Sequence, residues 1–287
     1  QRFKLKILVI GATGNVGQEV VKCLLEQNQD IVAATSNKNN AKKILGENTP
    51  TVIFDFGDQT TYAEAFKNVE KVFLIRPPQI SDVKQYIEPV IDHMAEAGVK
   101  QIVFLSLIGV EKNTVVPHHK IEKYIQSSGI SYTFLRPSFF MQNLNTTHRL
   151  EIKEESEIFV PVGKAKTNFI DVRDIGAVAA KVLTEDGYQN QAFEITGSEA
   201  LTYEEVATLF TEILGRKITY PNPSLLKFFL SNKAKGVPLA FIVVMAGLYT
   251  STRFGMAKKS TQTVKELLGR DPITMKEYIS AYKDSWE

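Results

Sequence analysis

The opening of the chain admits few folds. Residues 5–10, LKILVI, form a short apolar run that reads as a buried strand, and it passes straight into Gly11-Ala12-Thr13-Gly14-Asn15-Val16-Gly17. Val16, Val20, Val21, Leu24 and Leu25 then recur at helical spacing. A strand, a glycine loop and a helix in that order build an anion cradle. Gly11 permits a tight turn out of the strand, Gly14 lets backbone N–H groups approach a diphosphate, and Gly17 lets the helix pack against the sheet. The N–H groups that open the helix lack partners within it and carry partial positive charge. Thr13 and Asn15 add side-chain hydrogen bonds. Gly11, Thr13, Gly14, Asn15, Val16 and Gly17 are therefore candidate binding residues.

The alternation continues along the chain. Strands are expected at 31–35, 51–56, 72–75, 102–107 and 132–135, and helices at 61–66, 83–97 and 117–128. Nearly apolar strands that alternate with helices specify a parallel sheet covered on both faces. Beyond Pro137 the pattern loosens. Segments 168–172 and 192–196 read as sheet-associated, with a helix at 175–183 between them, and helices at 203–214, 224–230 and 275–286 follow. The longest later apolar run, Val237–Tyr249, has 13 residues, whereas a membrane span needs about 20. It reads as a buried helix, with a lipid-facing helix or the wall of an apolar pocket as alternatives. The expected fold class is α/β: a doubly wound parallel Rossmann sheet with a smaller, mainly helical C-terminal cap. Residues 1–140 plus 166–197 would form the dinucleotide-binding domain and 141–165 plus 198–287 the substrate-binding cap, with the ligand in the cleft.

Composition removes several function classes. A net charge of +2 supplies no field for nucleic-acid binding. Cys23 is the single cysteine, so no intrachain disulfide forms, and a reducing cytoplasm is the simplest compartment. The apolar run at the start ends in glycines and does not read as a signal peptide. The histidines, His93, His118, His119 and His148, carry no metal-ligand spacing, so no metal site is expected.

The G-x-x-G-x-x-G spacing resembles that of the short-chain dehydrogenase/reductase superfamily. Residues 129–143 (GISYTFLRPSFFMQN), 169–174 (FIDVRD), 195–206 (ITGSEALTYEEV) and 268–274 (LGRDPIT) resemble its atypical, NmrA-like branch across nearly the whole chain. That resemblance implies a nicotinamide dinucleotide. A carboxylate closing the second strand would select NAD through the ribose 2′-hydroxyl. Here that strand ends Ala34-Thr-Ser-Asn-Lys38, without an acid, and Lys42 and Lys43 follow. Ser36 and Lys38 are thus candidates for a 2′-phosphate, and NADP(H) is favoured over NAD(H). The family often places an Arg where Ser36 or Asn37 stands, and the alternative is that the lysines form a solvated helix face.

The resemblance also puts Asp55 and Phe56 beside the adenine, and Ile75, Arg76 and Pro77 along the ribose and diphosphate. Arg76 suits a phosphate or a surface acid equally. Ser106 ends the fifth strand, and Lys120 matches the family lysine that holds the nicotinamide ribose. The family tyrosine falls four residues earlier, at Val116, so its hydroxyl is missing. Reducing an isolated ketone needs a positioned acid, whereas a quinone or similar conjugated acceptor spreads the charge over a stabilised oxyanion. Hydride delivery with protonation from water or Lys120 then suffices. His118 is a second proton-donor candidate, against a reading as a first-turn surface histidine. Pro137, Phe139, Phe140 and Asn143 follow Arg136 at the crossing into the cap, where the resemblance places Pro137 and Phe139 beside the cofactor and Phe140 and Asn143 beside the substrate. Asp171 and Asp174 read as a turn and helix cap.

The expected function is therefore NADPH-dependent hydride transfer to a small apolar conjugated acceptor. The alternative is a non-catalytic NAD(P)-sensing regulator that binds a protein partner. A nucleotide-sugar or lipid-modifying enzyme is a weaker third reading, which would need the Tyr124 hydroxyl at the nicotinamide. No nucleic acid and no membrane span is expected; a homodimer or a regulatory partner is left open.

Overall fold

A computed structural model describes residues 6–287; Leu5, counted above in the first strand, lies outside them. The elements begin with β1 (Lys6–Val9), α1 (Asn15–Glu26), β2 (Ile31–Thr35), α2 (Lys38–Leu45), β3 (Thr51–Ile53), α3 (Tyr62–Ala65), β4 (Val69–Leu74), α4 (Val83–Tyr86), α5 (Glu88–Glu96), β5 (Gln101–Leu105), α6 (Pro117–Ser127) and β6 (Ser131–Pro137). They continue with β7 (Phe139–Phe140), β8 (Thr167–Ile170), α7 (Val172–Thr184), β9 (Gln191–Ile195), β10 (Ala200–Leu201), α8 (Tyr203–Leu214), α9 (Leu225–Ala234), α10 (Leu239–Arg253), α11 (Thr263–Leu268) and α12 (Met275–Ala281). The chain divides into two compact units, one ending at Pro137 and resuming over Val172–Ile195, the other comprising Ser138–Asp171 and Thr196–Glu287.

The first unit is built on a seven-stranded sheet ordered β3-β2-β1-β4-β5-β6-β9, and every pairing in it is parallel. Its strands are apolar because both faces are covered. Leu8, Val72, Ile102 and Phe134 pack with Val90, Ile91, Ile121 and Ile125 of the helices. The strand order reverses between β1 and β4, so the connections leaving those two strands diverge and leave a crevice at their C-terminal ends. This is the doubly wound Rossmann architecture. On the opposite face Gly176 of α7 meets α1: a Cβ there would lie 2.6 Å from Glu19 Cβ, so only glycine allows the two helices to approach this closely.

Local chemistry explains where the elements depart from the sequence pattern. β3 stops at Ile53 rather than 56, because the Asp55 carboxylate accepts the Gly57 N–H (2.7 Å) and the Asp55 N–H donates to Thr61 Oγ1 (3.1 Å), which turns the chain. The expected helix 83–97 is divided at Ile87, and Pro89 falls in the first turn of α5, where its missing N–H is tolerated. α2 forms over a segment for which the hydrophobic periodicity is too weak to predict a helix; only Ala41 of it is buried.

The second unit holds a three-stranded sheet, β10-β8-β7. Segment 168–172, expected as a piece of the main sheet, is instead β8 of this smaller one. α7 begins at Val172 rather than Ile175, which puts Asp174 inside its first turn, and Asp171 is fully buried and accepts from Gln142 Nε2 (3.0 Å). Asn168 organises the unit. Its buried amide donates to the carbonyls of Gly197 (3.0 Å) and Glu199 (3.3 Å), and its Oδ1 accepts from Ser138 Oγ (2.7 Å) and the Gly197 N–H (2.8 Å). The core contains Phe159, Phe169, Phe210, Phe228, Tyr278 and Trp286. α10 corrects the expectation of a buried helix. Ile242, Met245, Tyr249 and Thr252 are buried, but Val243 is 57% and Val244 68% exposed, because the unit supplies apolar partners for one side only. Among the described residues no helix is long and apolar enough to cross a membrane.

Candidate functional site

The crevice between β1 and β4 gathers the glycine loop. Gly11 has φ +80°, a conformation that L side chains rarely adopt, and a Cβ there would lie 3.1 Å from Ile75 Cβ at the end of β4. Gly17 is needed for a different reason from the one its spacing suggests. A Cβ at Gly17 would lie 1.9 Å from the Gly11 carbonyl oxygen, so this glycine folds the loop back on itself. Gly14 is the N-cap of α1, and its N–H donates to the Gly11 carbonyl (3.1 Å). No side chain caps the helix, so the amides of its first turn face the crevice without a side-chain acceptor. A Cβ on Gly14 would meet nothing nearer than 3.5 Å, so the space outside the loop is open. Asn15 is exposed, Thr13 is half-buried, and Gln18 Nε2 donates to the Thr13 carbonyl (2.9 Å). Val16 is buried behind the loop and packs rather than presenting a polar group.

Ser36 and Lys38 are exposed where β2 ends. The Asn37 side chain caps α2 by accepting from the Asn40 N–H (3.1 Å). Lys38, Lys42 and Lys43 all lie on α2, and Lys42 also pairs with the exposed Glu47 at 3.5 Å. Asp55 keeps one oxygen in the turn described above, while Phe56 is only 9% exposed and packs edge-on against Phe54 (4.9 Å between centroids). The Tyr62 hydroxyl donates to the Phe56 carbonyl (2.6 Å) and fixes that turn.

Arg76 pairs with carbonyls of its own loop rather than with a surface acid. Its Nη1 donates to the carbonyls of Pro77 (3.1 Å), Pro78 (3.2 Å) and Ile80 (2.6 Å), which folds the guanidinium into its own loop, and its Nε is buried without a partner. Burial lowers its pKa, yet the group stays cationic at any physiological pH. Further buried polar atoms of this unit lack partners as well: Gln101 Oε1, at the start of β5, Ser106 Oγ, just beyond that strand, and His118 Nδ1, in the first turn of α6. An unpaired buried polar atom costs about 1–3 kcal/mol, and three candidate site residues, Arg76, Ser106 and His118, carry one each.

His118 stacks on Phe104 (5.9 Å between centroids), and burial, aided by the nearby Arg76 charge, pushes its pKa down to about 4. It is therefore neutral at pH 7, so it donates a proton as an imidazolium only in acid. The folded pKa lies below the ordinary value of 6.5, so the unfolded chain takes up the proton first. The stability that the neutral ring contributes is fully present above pH 6.5 and is lost as pH falls toward 4. His118→Phe should flatten that acid limb in urea titrations run across this range; an unchanged pH profile would show that the ring does not titrate in this way.

His119 faces elsewhere, its Nδ1 donating to the Val110 carbonyl (3.0 Å). Lys120 is exposed on α6, and Val116 precedes that helix as its N-cap. The Tyr124 hydroxyl is held by Asp92 of α5 (2.7 Å), a bond that pushes its pKa up to about 12, so it is no substitute for the missing tyrosine. α6 is tied to the sheet by an ion pair that hydropathy patterns do not reveal: Arg136 Nη2 and Nε donate to Glu122 Oε2 (2.7 Å) and Oε1 (3.0 Å), with Glu122 5% exposed. Pro137 closes β6, buried, and its carbonyl accepts from the Ile108 N–H (3.2 Å). Phe139, Phe140 and Asn143 lie in the second unit. There Phe139 and Phe140 pair with Phe169 and Ile170 of β8, and Asn143 is exposed.

The sequence matches the NmrA-like family over residues 4–279. The chain belongs to the NmrA-like family. Two relatives are each 32% identical over 280 residues, which is 96% of this chain: prestalk A differentiation protein A of Dictyostelium discoideum, covered over 91% of its length, and the NAD(P)H azoreductase of Xenophilus azovorans, covered over 97%. Among solved structures, an NADPH-dependent quinone oxidoreductase of Escherichia coli in complex with NADPH superposes with a TM-score of 0.87 at 26% identity, covering 96% of this chain and 99% of that one. The fold class and the family thus agree with those expected from the residues.

Proposed function

We propose that this NmrA-like chain is an NAD(P)H-dependent oxidoreductase, that it prefers NADPH, and that it reduces a small apolar conjugated acceptor of the quinone class. One observation carries the reading: an uncapped helix N-terminus behind a folded-back glycine loop, in the same unit as three candidate side chains, Arg76, Ser106 and His118, that each keep a buried polar atom without a partner. The loop fits a dinucleotide diphosphate, because glycine at 11 and 17 lets it fold back against Ile75 and its own backbone while the space outside Gly14 is open. Reduced nicotinamide, when bound, supplies a hydride.

The remaining work falls to residues of this chain. The amides of Asn15, Val16 and Gly17 would hold the diphosphate, and Ser36 and Lys38 the 2′-phosphate. Ile75 and Pro77 would wall the ribose. Ser106 and Arg76 would add hydrogen bonds and positive charge at the C-terminal ends of β5 and β4. Lys120 would orient the nicotinamide ribose, and its Nζ would return a proton to the reduced acceptor. His118, neutral at pH 7, is better suited to accept or donate one hydrogen bond than to supply an acid. With valine at 116 no phenolic hydroxyl is aimed at the acceptor, which favours substrates whose reduced form is already a stabilised anion. Phe140 and Asn143 keep the acceptor-contacting role that the resemblance implies.

Purified protein should bind NADPH roughly ten-fold tighter than NADH, since a single well-placed charge contact is worth about 1–2 kcal/mol. It should oxidise NADPH when given a quinone such as menadione. Equal or tighter NADH binding would reverse the cofactor preference. Saturable NADPH binding with no turnover on quinones, azo dyes or imines would replace the reductase by the sensing regulator.

A further inference from the structure

The outward face of α10 is apolar from end to end. On a helix of this length, about 22 Å, Leu239, Val243, Val244 and Leu248 share the side opposite the buried Ile242, Met245 and Tyr249, together with Ala240, Gly247 and Ser251. No charged residue interrupts the segment 236–252. A surface helix of this kind normally carries polar residues outward. The apolar surface extends along α9 through Leu226 and Leu230, which are one turn apart, and past the end of α10 through Phe254 and Met256, 80% and 73% exposed. Together these exposed side chains amount to on the order of 1,000 Å², against roughly 300–600 Å² for the largest patch of a typical monomer.

The segment that builds this surface carries charge of one sign, and the acid that reaches it from elsewhere in the unit is Glu155, which pairs with Lys235 at 2.7 Å. Between Glu212 and Glu266 the sequence has nine Lys and Arg and no Asp or Glu, in a chain whose net charge is +2, so the remainder is net negative. Lys227 and Lys233 lie on α9, Lys233 one turn beyond Leu230. Lys235 stands between the helices, Arg253 ends α10, and Lys258 follows; all five are exposed. The helix cannot roll to hide its outer face. Tyr249 Oη lies 2.8 Å from His148 Nε2, and His148 Nδ1 lies 2.7 Å from Glu151 Oε1, which pins the inner face inside the unit.

We propose that α9 and α10 form a docking surface for an anionic lipid bilayer. The apolar face would bed at the boundary of headgroups and acyl chains, and Lys227, Lys233, Lys258 and Arg253 would extend to the lipid phosphates. Fifteen residues with one side already buried lie in the plane of a membrane and do not span it. A second copy of this chain is a poorer occupant, because a two-fold contact would set this basic surface against its own duplicate. The proposal stands without the reductase reading. Where both are true, the bilayer also concentrates an apolar acceptor.

Flotation of the full chain with vesicles tests this. Vesicles of phosphatidylcholine and phosphatidylserine should carry the protein at low salt and release it at high salt, while pure phosphatidylcholine should bind roughly ten-fold less. Val244→Asp with Leu248→Asp should abolish flotation, and Lys233→Glu with Arg253→Glu should weaken it roughly ten-fold or more. These positions are exposed, so unchanged thermal unfolding is expected for both pairs. No flotation with anionic vesicles, equal flotation with neutral ones, or full retention in the Asp pair overturns the proposal. So does a dimer of the unaltered chain, seen by ultracentrifugation, that the Asp pair dissociates.

Discussion

Gly14→Asp should weaken NADPH binding on the order of 100-fold or more while leaving the protein at least as stable as before. A carboxylate and a phosphate about 4 Å apart repel by about 4 kcal/mol at an effective dielectric near 20, and 1.4 kcal/mol is already ten-fold. The folded chain tolerates the change, since a Cβ at Gly14 meets nothing nearer than 3.5 Å. Aspartate is moreover a preferred N-cap, so its side chain would take up the first-turn amides of α1 and add a few tenths of a kcal/mol. The same oxygen that stabilises the helix then occupies the donors proposed for the diphosphate. Loss of affinity through misfolding would instead lower both affinity and melting temperature. Fluorescence titration with NADPH beside thermal unfolding separates the two outcomes.

Arg136→Met should destabilise the first unit by about 3–5 kcal/mol, because it strands the buried Glu122 carboxylate on α6. Glu111, 3.5 Å from Arg136 Nη1, adds to the arginine's environment and does not relieve Glu122. Adding Glu122→Leu should restore most of the loss, since an apolar pair of similar volume carries no orphaned charge. Urea unfolding of the two single variants and the double variant measures the coupling. If Arg136→Met costs under about 1 kcal/mol, the pair behaves as a surface bridge and does not fix α6.

The parts of this protein that could be read from its sequence are those set by local constraint. Gly11 and Gly17 announce a backbone that no side chain fits, Gly14 the open space in front of it, and the apolar strands of the sheet announce burial on both faces. Even there the reason for Gly17 was misjudged, because its close approach is to the Gly11 carbonyl within the loop and not to the sheet. What the sequence concealed depends on distant partners. Glu122 looks like an ordinary helical acid until α6 lies on β6 beside Arg136, and Gly176 looks incidental until α7 meets Glu19. By charge Arg76 suits a phosphate or an acid, yet its first partners are carbonyls of its own loop, which no charge argument could supply. α10 shows the opposite failure. An apolar stretch says that a helix is hydrophobic, not how many of its sides the fold will cover. Phe139, Phe140 and Asn143 were named from resemblance, and their role stands with the proposed function.

Calorimetric titration of the full chain with NADPH bears most directly on the glycine cradle as a dinucleotide site. One saturable binding event per chain, lost in Gly14→Asp with the fold retained, is the expected result. A flat titration with both NADPH and NADH for a protein that unfolds cooperatively would contradict it.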